Sequence, residues 1–257
     1  MQGGLFFAQK GGRVMNISYI KGDVARAKVL AQEALQNGDV VLALDLDCTL
    51  AHYKDGMKGL IAIVRQLGVS ESLARKVILA TNEGNFSFSH FYHILTRVAH
   101  IYESEEKFMK RVRVWFQENY VLYDDAHRFL YDYLERIPIV VVTTGDDEFQ
   151  REKVKLLDFI PHEILVVPVG SPKIDMLKGI YNRYRKMVVV VDDNPAEHIS
   201  VSLDAWFGFS ATSYSVRITR DDSPYQQPSG PLAHVNLEIR SFDQLRQYLT
   251  CPGLVPA

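Results

Sequence analysis

Four short β-branched runs, each ending in polar residues or glycine, constrain this chain more than any other feature. They are "VVLALD" (40–45), "IPIVVVTTGD" (137–146), "HEILVVPVGS" (162–171) and "KMVVVVDDNP" (186–195). Runs this continuously apolar have no solvent-facing side, which suits strands of a parallel sheet covered on both faces. Helical stretches separate them. Residues 23–38 start with Asp23 and end with Gly38, a usual helix stop. Residues 146–159 begin with acids and carry their bases later, as the helix dipole favours. Residues 173–186 put apolar side chains at 174, 177, 180 and 181, on one helical face. The alternation predicts an α/β doubly wound parallel sheet with a Rossmann-like core. Further on, "ATSYSVRI" and "VNLEIRS" read as short strands, "RDDSPYQQPSGPLAH" as a loop and "SFDQLRQYLT" as a closing helix.

From about Ala51 to about Arg136 the alternation lapses, and no strand is expected. Helical segments read instead at 56–68, 71–80, 88–120 and 124–137. The polar break "TNEGNFSFS" (81–89) separates two of them, with Ser89 as the expected cap. An insertion of this length exceeds a simple crossover. The expected organisation is therefore an α/β core of residues 1–50 and 124–257, with a helical cap subdomain over 51–123. Phe86, Phe88, Phe91 and Tyr92 read as core of that subdomain, and "KFMKRVRVWF" as a solvated helix face.

Composition narrows the partners. A formal net charge of -2 gives no push toward nucleic acid or an acidic membrane. No stretch reaches the roughly 18 uninterrupted apolar residues of a membrane span. The start, "MQGGLFFAQKGG", carries too little apolar sequence for a signal-peptide core. Cys48 and Cys251 lie far apart and make neither a disulfide framework nor a metal cluster. A cytoplasmic setting, a small-molecule partner and a monomer or homodimer are expected.

In an open α/β sheet, ligands collect at the carboxyl ends of the strands. The first run puts Asp45 and Asp47 there, the second Thr143 and Thr144, the fourth Asp192 and Asp193, and Lys173 opens the helix before the fourth. Four carboxylates near one place repel: a like-charge pair at ~4 Å costs about 4 kcal/mol at an effective dielectric of 20. A divalent cation relieves this, and Mg²⁺ suits an all-oxygen site with few carboxylates. A carboxylate is also a covalent nucleophile in aspartyl-phosphate chemistry. Together these residues point to Mg²⁺-assisted phosphoryl transfer.

The ordered set resembles the motifs of the haloacid dehalogenase-like superfamily. "LALDLDCTL" matches its strand followed by D-x-D-x-T, with Asp45, Asp47 and Thr49 in place. "IVVVTTG" matches the apolar strand ending in Ser or Thr, with Thr143 the preferred residue and Thr144 one register away. Lys173 matches the lysine upstream of the fourth strand, and "VVVVDDNP" the closing acidic pair. The resemblance covers roughly residues 23 to 200. It implies that Asp45 attacks phosphorus, while Asp47 protonates the leaving oxygen and then activates water. It implies phosphoryl contacts from Thr143, Lys173 and the Leu46 and Asp47 amides, and substrate binding by Leu46, Thr49, Thr144 and Gly145. For Mg²⁺ it implies Asp45, the main-chain carbonyl of Asp47, Asp193 directly, and Asp192 through water or by orienting its neighbour. Cys48 departs mildly from the Gly, Asp or Asn that many members carry there. The insertion sits where the superfamily's type 1 cap lies, and such caps favour small substrates. Asp47 separates the chain from true dehalogenases, which lack that acid. The implied activity is hydrolysis of a small phosphate monoester, with phosphomutase or phosphotransferase chemistry, or a non-catalytic regulatory role, as alternatives.

Overall fold

The structure, a computed structural model, describes residues 29–82, 86–203, 212–225 and 235–249. Its centre is a six-stranded sheet with the order β5-β4-β1-β6-β7-β8. The strands are β1 (Val40–Leu44), β4 (Ile139–Thr144), β5 (Glu163–Val167), β6 (Met187–Asp192), β7 (Ser213–Ile218) and β8 (Leu237–Ile239). Every neighbouring pair in it is parallel. Six of the expected runs therefore form the six strands, in one doubly wound α/β sheet.

Apolar side chains alternate between its faces, as the pleat requires. Val41, Ala43, Val140, Val142, Val188 and Val190 pack on one side, against α8 (Ile174–Tyr184). Leu42, Leu44, Val141, Val189 and Val191 join the other cluster, which continues into the inserted helices. Because both faces are covered, β1, β4 and β6 are buried almost throughout.

Helix α1, described over residues 29–37, stops just before Gly38 in the left-handed region (φ 66°). Between β1 and β4 come α2 (Lys58–Arg65), α3 (Glu71–Asn82), α4 (Phe88–Ala99), α5 (Glu105–Asn119) and α6 (Asp124–Tyr133). Three expectations fail here. Two three-residue strands, β2 (Ala51–Tyr53) and β3 (Tyr120–Leu122), pair antiparallel at the foot of the insertion, in an interval where none was expected. Three residues are too few to show a period. The stretch 88–120 is also two helices: α4 stops at His100 in the left-handed region (φ 50°), and Ser104 caps α5. The cap of α4 is Ser87, which accepts from the His90 amide, whereas Ser89 donates to Glu105.

Phe88, Phe91 and Tyr92 are buried, with Phe86 half-buried beside them. The stretch read as a solvated face is amphipathic, since it buries Phe108, Val112, Trp115 and Phe116. Helices α7 (Asp147–Leu156), α9 (Pro195–Leu203) and α10 (Phe242–Arg246) complete the described elements. Among the described residues, no helix is long and apolar enough to cross a membrane. Cys251 lies outside them, as do residues 23–28 of the first expected helix and 226–234 of the expected loop.

Candidate active site

The strand order sets the site. Because β1 lies between β4 and β6, the three carboxyl ends are adjacent, with Leu44 in register with both Val141 and Val191. The Asp45 amide continues the ladder by donating to the Val191 carbonyl at 2.9 Å. Beyond that register the flanking strands turn polar, at Asp192 directly after Val191 and at Thr143 two residues after Val141, so side chains from distant parts of the sequence converge.

Asp45, Asp192 and Asp193 are all buried, each with a carboxylate oxygen within 4.8 Å of the others. Lys173, at the start of α8, extends its ammonium between two of them. Nζ donates to Asp45 Oδ1 and to Asp192 Oδ2, each at 2.6 Å. Burial opposes the lysine's charge, but Asp192 and Asp45 outweigh it and raise its pKa above the ordinary lysine range. Asp45 is also pushed up, by burial first, then by Asp192 and Asp193, against the pull of Lys173. Burial lifts Asp193 to about 6 although the Ser223 hydroxyl donates to it at 2.5 Å. Three buried carboxylates around one ammonium leave excess negative charge. The donor set is all oxygen and compact, and so fits a hard cation of the size of Mg²⁺.

Asp47 stands apart from this cluster. Its carboxylate accepts from the Lys153 ammonium at 2.7 Å and from the Tyr120 hydroxyl at 3.0 Å. Its side chain is therefore no member of the acidic triad, leaving only its main-chain carbonyl for the metal contact expected of it. Lys153 lies on α7 and is buried, its ammonium 4.8 Å from the Phe149 ring centre. Tyr120 opens β3, so the foot of the insertion reaches Asp47 directly.

Thr143 is buried and hydrogen-bonded to Gln150 (3.3 Å); Thr144 is half-buried, its carbonyl accepting from the same glutamine at 3.1 Å. Both threonines line a cleft of about 220 Å³ with Asp45, Asp47, Lys173 and the Asp192–Asp193 pair. Gly145, at φ 148°, borders a larger adjoining cleft; a Cβ there would lie 2.6 Å from Gln150 Nε2. Leu46 and Thr49 are fully buried and line neither cleft with side chains. Cys48 takes a left-handed backbone (φ 57°). Asp146 caps α7 by accepting from the Phe149 amide at 2.9 Å. Asp192 also braces the turn after β6, accepting from the Asn194 amide at 2.8 Å.

Comparison with solved structures places the fold. A candidate haloacid dehalogenase-like hydrolase from Burkholderia xenovorans LB400 superimposes with a TM-score of 0.60 at 17% identity, covering 81% of this chain and 95% of that one. A candidate beta-phosphoglucomutase from Thermotoga maritima gives 0.54 at 16%, covering 82% and 99%. The chain has the haloacid dehalogenase-like fold. A dehalogenase with an intermediate complex shares it too, with a TM-score of 0.53 at 17% identity over 84% of this chain and 98% of that one. No protein-family model matches the sequence, and no curated protein matches it. On this fold, Lys153, Tyr120 and Ser223 are site neighbours that motif reading misses. Lys153 looks like any basic residue of an amphipathic helix, and Ser223 lies in a loop without periodicity.

Proposed function

We propose that the protein is a Mg²⁺-dependent phosphatase of the haloacid dehalogenase-like superfamily, acting on a small phosphate monoester through an aspartyl-phosphate. One observation carries this reading: Asp45 shares a buried cluster with Lys173, Asp192 and Asp193, while Asp47, two residues on, points elsewhere. Two carboxylates from one turn thus occupy two environments, as nucleophilic and acid/base roles require.

The bookkeeping of the reaction is simple. The Asp45 carboxylate attacks phosphorus, its new bond forming as the bond to the leaving oxygen breaks. Lys173 is already against Asp45 and offsets charge on the phosphoryl oxygens, with Thr143 as a further donor. Asp47 gives its proton to the leaving alcohol, then takes one from the water that attacks the aspartyl-phosphate. That second attack releases phosphate and restores the Asp45 carboxylate. Asp45, Asp192, Asp193 and the Asp47 carbonyl would hold Mg²⁺, which neutralises the carboxylates and polarises the phosphoryl oxygens when bound.

Purified protein with Mg²⁺ should hydrolyse p-nitrophenyl phosphate, and chelation should stop it. Asp45→Asn should abolish turnover. Metal-independent hydrolysis, or full activity in that variant, overturns the proposal.

A further inference from the structure

The leaving alcohol has its own space, and its chemistry follows from the walls; this step rests on the phosphatase reading. A cleft of about 840 Å³ adjoins the small one, sharing Asp47, Thr144 and Asn194 with it. That volume suits a small organic group. Tyr53, Met57, Phe86, Phe149 and Tyr225 give it apolar and aromatic walls.

Its carboxylate, imidazole and ammonium lining among the described residues is Asp47, His52, Lys153, Glu197 and Asp222. Lys153 is buried, and its ammonium is engaged by Asp47. His52 is likewise engaged, 3.0 Å from Asp222 and stacked on Tyr123 at 4.2 Å. No arginine lines this cleft among the described residues. Glu197 adds a further carboxylate near the phosphoryl end, accepting from the Lys173 amide at 3.2 Å. A second anion on the substrate would meet like charge, and no described residue of the lining offers a free cation to compensate it. Uncharged hydroxyls, by contrast, would find Asn194, Ser171 and Ser200.

We infer that the substrate is the phosphate monoester of an uncharged alcohol with an apolar or aromatic face, and that this cleft rejects esters bearing a second acid. Aromatic walls contribute area and the acids contribute discrimination, so the selectivity is built from attraction and repulsion together.

The test compares glycerol 3-phosphate with 3-phosphoglycerate, which differ in having a hydroxymethyl group or a carboxylate, and adds benzyl phosphate. With Mg²⁺, kcat/KM should favour glycerol 3-phosphate by at least tenfold, with benzyl phosphate at least as good. Glu197→Gln should narrow the glycerol 3-phosphate to 3-phosphoglycerate ratio several-fold. Dissociation constants for the same compounds with Asp45→Asn, measured by calorimetry, should show the same order. Equal or better use of 3-phosphoglycerate overturns the inference. Absence of turnover with the binding order intact sinks the phosphatase reading while supporting the selectivity. Absence of both turnover and binding overturns the two together.

Discussion

Cys48 holds a conformation that few L-residues adopt readily. At φ 57° its Cβ crowds the backbone, at a cost of roughly 1–2 kcal/mol that Asn largely avoids. Cys48→Asn should stabilise the fold by about 1 kcal/mol, read as a shift in the denaturant midpoint; a loss of stability would contradict the strain. Lys153 acts at the same scale. Replacing it with Met keeps most of the buried volume and removes the charge opposite Asp47. Lys153→Met should lower kcat tenfold or more, because Asp47 loses the partner that aims it. Stability should change by less than about 1 kcal/mol, because the Asp47 carboxylate is open to solvent and keeps the Tyr120 hydroxyl, so it is not left as an uncompensated buried charge. Unchanged kcat would remove Lys153 from the machinery.

Among the elements, the end of β6 carries the pH dependence. Asp193 has its pKa raised from the ordinary carboxylate range to about 6, by burial and by Asp192. A carboxyl raised on folding contributes stability that is complete below about pH 4 and is lost as pH rises through about 6. Binding of a cation runs the other way, because it needs the deprotonated carboxylate. Saturating Mg²⁺ should therefore raise the melting temperature more at about pH 8 than at about pH 5. An equal or larger rise at the acid end would show that these carboxylates do not hold the ion. The strands that build this site were legible because β1, β4 and β6 are buried on both faces and so read as unbroken apolar runs. Strands β2 and β3 were not, being three residues long and set by pairing with each other. The break between α4 and α5 was hidden as well, because helical periodicity resumes after only a few residues.

For the molecule as a whole, convergence at the sheet's carboxyl edge matters most. Asp45, Thr143, Lys173 and the Asp192–Asp193 pair were legible as an ordered set, since each sits at a strand end or helix start. Their neighbours Lys153, Tyr120 and Ser223 were not, because tertiary packing alone brings them in. Arg220 shows the same kind of long-range tie. Its guanidinium donates to Asp125 at 2.9 Å and to the Thr49 carbonyl at 3.2 Å, and lies 4.0 Å from the Tyr123 ring centre. Arg220→Met leaves Asp125 buried with, among the described residues, only the Phe242 amide, which donates to it at 2.7 Å. The variant should lose about 3 kcal/mol of stability, the scale for breaking a buried ion pair. A loss below about 1 kcal/mol would show that the tie is dispensable. The central claim is covalent and can be tested as such. Protein mixed with p-nitrophenyl phosphate and Mg²⁺, quenched in acid and digested, should carry a phosphoryl group on the peptide containing Asp45. Release of phosphate with that group on another residue, or with no phosphoenzyme at all, would contradict the account.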